Sequence, residues 1–161
     1  MVKPLPGEVS PIGWREWVAL PELKIPEIKC KVDTGARSSA LHAFAVEPFW
    51  REGEEWVRFG IHPQQKNEQD VIWCEAKVHD KRAVTDSGGH TTERYFIKTE
   101  VQVGCSCFAI EVSLTSRDTM LFRMLLGREA LRHRYVVVPE ASYLQPLETV
   151  QPSLSDKASP L

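Results

Sequence analysis

From Tyr95 to Leu114 apolar side chains fall at alternate positions, with one short interruption. In YFIKTEVQV, Tyr95, Ile97, Val101 and Val103 share a face, and in FAIEVSL, Phe108, Ile110, Val112 and Leu114 do the same. A repeat of two belongs to a strand with one buried face, whereas a helix brings together residues three and four apart. Gly104-Cys105-Ser106-Cys107 separates the two runs and is short enough to predict a hairpin. The same alternation recurs in IKCKV (Ile28, Cys30, Val32) and in VIWCEAKV (Ile72, Cys74, Ala76, Val78). RMLLG reads as an apolar strand stopped by Gly127, REALRHR as one or two helical turns, and YVVVP as a further short strand. HPQQKNEQD carries no period and reads as a loop. The expected fold class is therefore all-β with one short helix near the C-terminus, without tandem repeats.

The chain has 161 residues, the size of one domain, expected over 12–150 with an N-terminal extension at 1–11. The tail 151–161, QPSLSDKASPL, is rich in Pro and Ser and is expected to be disordered. The net charge of −2 and the scatter of basic residues argue against nucleic acid or an anionic membrane as partner. No apolar run approaches the roughly 18 residues of a membrane span. MVKPLPGEVSP lacks the apolar stretch of a signal peptide, so a cytoplasmic location is expected. The four cysteines, Cys30, Cys74, Cys105 and Cys107, are then not expected to form disulfides. The five tryptophans, Trp14, Trp17, Trp50, Trp56 and Trp73, are expected in the core or at an interface.

KVDTGARSSALHA runs from an apolar strand into Asp33-Thr34-Gly35. A carboxylate at a strand end sits on a rigid element, the threonine hydroxyl can bond nearby backbone, and glycine tolerates the angles of a tight loop. The tripeptide alone is equally a turn. Two separated blocks decide between these readings. KVDTGARSSALHA, together with MLLGREAL at 124–131, resembles the retropepsin-like aspartic peptidases, in which an apolar-Gly-Arg segment closes the fold behind the Asp-Thr-Gly loop. The match is closest to a bacterial family usually labelled "ATP-dependent zinc protease", and it covers residues 12–139, including IGWREWVALPEL and LTSRDTMLFRMLLGREAL. The resemblance implies an acid-protease barrel, a flap hairpin around SGGHTTERY, and water activated by carboxylates to cleave peptide bonds. It also implies an association with ATP-grasp ligases that modify proteins with glutamate. The zinc and ATP of that label find no support in the residues: there is no H-E-x-x-H, no two of the five histidines are four apart, and no phosphate-binding glycine loop exists. No metal or other cofactor is expected. A metal-dependent hydrolase resting on Cys105-x-Cys107 and the label remains the weakest alternative.

Aspartic peptidases need two carboxylates in contact, because charges that close cannot both ionise and one proton is shared. Asp86-Ser87-Gly88 is an internal candidate, but a two-lobed enzyme would need a second closing segment and only Leu125-Leu126-Gly127 is evident. The other candidate is Asp33 of a second copy, since a two-fold contact pairs a residue with itself. The expectation is a homodimer acting on a peptide or protein. Asp33, Thr34 and Gly35 form its catalytic loop. Ala36 and Arg37 meet substrate beside a flap hinged at Gly88 and Gly89, and Gly127, Arg128 and Glu129 give structural support. Viral members of the superfamily carry an acidic residue where Arg37 stands, so Arg37 is expected to face Glu129 or a substrate carboxylate. Ser38 and Ser39 have no adjacent base and read as turn hydroxyls. A non-catalytic peptide-binding domain on the same scaffold is the main alternative.

Overall fold

The computed structural model describes residues 9–64, 69–85, 88–116 and 121–147. Residues 1–8 of the expected extension and the whole of 151–161 lie outside the described residues. The long hairpin is formed by β9 (Thr91–Val103) and β10 (Ser106–Thr115), paired antiparallel from Val103 opposite Ser106 to Phe96 opposite Ser113. Ile97, Val101, Val103, Ile110, Val112 and Leu114 are buried, as the alternation requires. The turn is tighter than the four residues read from sequence, because Ser106 already pairs and only Gly104 and Cys105 link the strands. Gly104 takes φ +59 at the first loop position, which matches the twist of the flanking strands and suits glycine.

Around this hairpin a ring of strands closes. β2 (Arg15–Leu20), β3 (Ile25–Asp33), β4 (Ser39–His42) and β11 (Met124–Gly127) complete it, in the order β10, β4, β11, β3, β2, β9 and back to β10. β8 (Asp80–Thr85) extends the sheet outward from β9. Val18, Ile28, Cys30, Leu41, Met124 and Leu126 join the hairpin's apolar face inside the ring. Burying side chains of this size is worth about 1.5–3 kcal/mol each, which is what favours closure.

The ring has one topological consequence that positions the site. β11 pairs in parallel with β3 and antiparallel with β4, so it lies between two strands that are consecutive in the chain. The link 34–38 must pass over the end of β11, and Gly127 comes to lie opposite Asp33.

β5 (Ala45–Arg51), β6 (Glu54–Ile61) and β7 (Ile72–Lys77) form a separate antiparallel sheet that packs on the core through Val57, Phe59, Ile61 and Cys74. Two tryptophans of this sheet lie outside the core, which leaves an interface as the expected place for them. Trp50 is 70% exposed, and Trp73 is exposed with the Arg58 guanidinium 3.9 Å above its ring. Trp50 has the same strand parity as Val46, which packs on the core, but it sits beside the Glu52–Gly53 turn where β5 has run past that core.

β1 (Ser10–Ile12) pairs in parallel with β12 (Tyr135–Val137), so Ser10 and Pro11 of the expected extension belong to a sheet. The short helix α1 (Arg128–Leu131) is a single turn following β11. No helix among the described residues is long and apolar enough to cross a membrane.

Candidate active site

Asp33 is the last residue of β3 and is half-buried, while Thr34 and Gly35 beyond it are exposed. The Asp33 Oδ1 accepts a hydrogen bond from the Gly35 N–H at 3.0 Å, and its main-chain carbonyl accepts from Ala36 N–H at 3.2 Å. This is a carboxylate steadied by its own loop. Gly35 is glycine for a different reason from the one sequence suggested. Its φ is not left-handed, but a Cβ there would lie 3.2 Å from Asp33 Oδ1, tight against the carboxylate.

The end of β11 and the start of α1 hold this loop from behind. Arg128 N–H donates to Ala36 O at 2.7 Å and Glu129 N–H to Arg37 O at 3.0 Å. Gly127 N–H donates to Ser39 Oγ at 3.0 Å, and Arg128 Nη1 donates to Thr34 O at 3.1 Å. Gly127 has no room for a side chain: a Cβ would collide with Ser38 O and stand 2.5 Å from the Ser38 carbonyl carbon. Glycine is required there by close backbone approach rather than by φ.

Arg37 meets Glu129. Its Nε donates to Glu129 Oε1 at 2.7 Å, with side chains 78% and 41% exposed. The Arg37 hydrogen bond, helped by its charge, holds the Glu129 carboxyl below its ordinary value against the opposing effect of desolvation. Beyond this pair lies a cleft of about 610 Å³ walled by β8, β9 and β10. Gly88 and Gly89 lie at the exposed tip of the β8–β9 hairpin, where Gly89 takes φ +85. Asp86 and Ser87 fall outside the described residues.

Sequence reasoning missed the specific part played by Ser39. It is 2% exposed, accepts from Gly127 N–H, and its carbonyl accepts from Ser113 Oγ at 3.4 Å. Its bonding partner on β11 is 88 residues away, so no local pattern announces it. Cys105 and Cys107 are exposed at the β9–β10 turn, and no cluster of three or more potential metal ligands occurs among the described residues.

An Asp-Thr-Gly loop carried over the end of an apolar-Gly-Arg strand, in a closed ring of strands, places the chain among retropepsin-like folds. Residues 11–148 match the RimB-like family model, described as "Retropepsin-like aspartic endopeptidase RimB", and the chain belongs to that family. That description names neither zinc nor ATP. A Shewanella pealeana protein named "Probable alpha-L-glutamate ligase" is 46% identical over 132 residues, which is 82% of this chain and 29% of the relative. A Desulfotalea psychrophila protein of the same name is 44% identical over 128 residues, covering 80% and 28%. The chain thus spans less than a third of the length of these relatives. A crystal structure of a Legionella pneumophila protein of unknown function superposes with a TM-score of 0.70 at 23% identity, over 84% of this chain and 98% of that one. At that identity the likeness speaks for the fold.

Proposed function

We propose that the chain is an aspartic-type, peptidase-like hydrolase whose active site is assembled from Asp33 of two copies. The observation that carries this reading is the grip of Gly127, Arg128 and Glu129 on the Asp33 loop, through which the ring spends its closing strand on a single half-buried carboxylate. One such loop is half of the chemistry. A two-fold axis beside Asp33 supplies the other half, and the two carboxylates then titrate as a unit around one shared proton. The ionised member draws a proton from water as it attacks the peptide carbonyl, and the protonated member donates to the developing tetrahedral oxygen. Thr34 bonds across the axis and fixes the pair. Gly88 and Gly89 let the β8–β9 hairpin close over a substrate bound as an extended strand.

A second reading is favoured by the names of the relatives. A domain of this family occupies under a third of proteins named as glutamate ligases, so the groove serves to hold a glutamate-bearing peptide for modification without cutting it.

The test is peptide cleavage by wild type and Asp33→Asn alongside sedimentation velocity. Cleavage by a dimer that Asp33→Asn abolishes is the expected result. Full activity from a strict monomer overturns the shared dyad. Peptide binding without cleavage by either protein gives the second reading the field.

A further inference from the structure

The cleft beyond Arg37 and Glu129 is not used by the hydrolytic step, and its charges are unevenly partnered. Arg37, Arg82 and Lys98 line it together with Asp80, Glu111 and Glu129. Arg82, on β8, is committed: its Nε donates to Asp80 Oδ2 at 2.5 Å, its Nη2 donates to Glu111, and its guanidinium rests 4.0 Å from the Phe96 ring centroid. These two carboxylates raise its pKa further above the ordinary arginine value, so it stays charged and in place. Arg37 is committed to Glu129. Lys98 is the exception. It stands directly opposite Glu111 in the β9–β10 register, the position from which a cross-strand ion pair is expected. Glu111 turns instead toward Arg82 and toward His79 Nε2 at 3.4 Å. Among the described residues the Lys98 side chain makes no ion pair or hydrogen bond.

We infer that Lys98 is a specificity-determining residue that receives an acidic side chain of the bound peptide, away from the scissile bond. The inference rests on the peptide-groove reading above. An exposed lysine on a flat surface would select little. Here the ammonium lines a concave site that starts at the Asp33 loop's own Arg37 and includes Arg82, which Asp80 and Glu111 hold in place. The wall carboxylates are already engaged, so an incoming carboxylate meets Lys98 without displacing an internal partner. A flexible ammonium is a point charge that accepts such a group without a demanding geometry.

The experiment measures binding of a labelled glutamate-containing peptide and its glutamine counterpart by fluorescence anisotropy at two salt concentrations. It uses wild type, Lys98→Glu and Lys98→Arg, with folding checked by circular dichroism. Wild type is expected to prefer the glutamate peptide about tenfold, a preference weakened by salt, lost in Lys98→Glu and kept in Lys98→Arg. Equal binding of both peptides by wild type, or an unchanged preference in Lys98→Glu, overturns the subsite and leaves the groove reading intact. Binding of neither peptide by wild type overturns the groove reading and the subsite with it.

Discussion

Glu16 and Glu129 each fasten a length of chain to the ring, one from inside the protein and the other from its surface. Glu16, at 0% exposure, accepts from Gly13 N–H at 2.7 Å, Leu144 N–H at 2.9 Å and Gln145 N–H at 3.0 Å. It pins the segment after β12, which also crosses back at Trp14 N–H to Ala141 O (2.8 Å) and Gln145 Nε2 to Pro11 O (2.7 Å). Glu129 holds Arg37 beside the Asp33 loop in the open. A buried carboxylate with three backbone donors is costly to remove, because each donor loses its partner away from water. An exposed ion pair trades its partner for solvent at little cost. The rear of the molecule is thus fastened permanently, while the pair at the candidate site can yield to a substrate.

Removing the rear fastening is the strongest way to break that contrast. Glu16→Ala is expected to lower stability by about 3 kcal/mol in urea unfolding, since bonds to charged acceptors are worth about 1.5–3 kcal/mol each and part of the loss is recovered by water once the strap opens. Gly127→Ala comes next, at about 2 kcal/mol, because the methyl meets backbone of the Ser38–Ser39 link rather than a movable side chain. Glu129→Gln is expected to cost less than about 1 kcal/mol, and the charge-swapped pair Arg37→Glu with Glu129→Arg to recover most of it in a double-mutant cycle. The pH dependence of this pair has a definite sign. The Glu129 carboxyl is held below its ordinary value of 4.5 in the fold, so the pair's contribution is present above that value and fades as pH falls through the lower folded value. Denaturation midpoints of wild type and Glu129→Gln should therefore converge in acid.

The smallest effect is chemical. Burial, reinforced by the charge of Glu16, pushes the Cys30 thiol up to about 12, and burial pushes Cys74 up to about 11. Alkylation of the native protein should mark the exposed Cys105 and Cys107 and spare these two. Faster labelling of Cys30 is expected in Glu16→Ala than in wild type, from the loosened strap and the lost charge together.

What sequence could and could not show follows from how far apart the partners lie. The hairpin of β9 and β10 was readable because alternation is local, and the Asp33 loop and its closing strand were readable because each is a contiguous motif. The β5–β7 sheet was harder, since WVRFG and AVEPFW have neither a clean alternation nor a motif. Trp50 is kept out of the core by the length of β5, which sequence does not show, since parity tells which face a side chain takes and not how far the neighbouring layer extends. Glu16 gave no signal at all: its partners Leu144 and Gln145 are 128 and 129 positions away, and a glutamate inside REWVAL looks like a solvent-facing residue. The Arg37–Glu129 contact was within reach only because both motifs were already aligned.

The insertion of β11 between β3 and β4 also sets a timetable. Asp33 leaves the ribosome well before the strand that shapes its loop, which begins at Met124, and the bond from Arg128 to Thr34 spans 94 residues. Long-range pairings of this kind close late in folding. A chain emerging from the ribosome therefore carries Asp33 in a loose segment until β11 has been made. It becomes a formed loop only when nearly the whole domain is present to contain it.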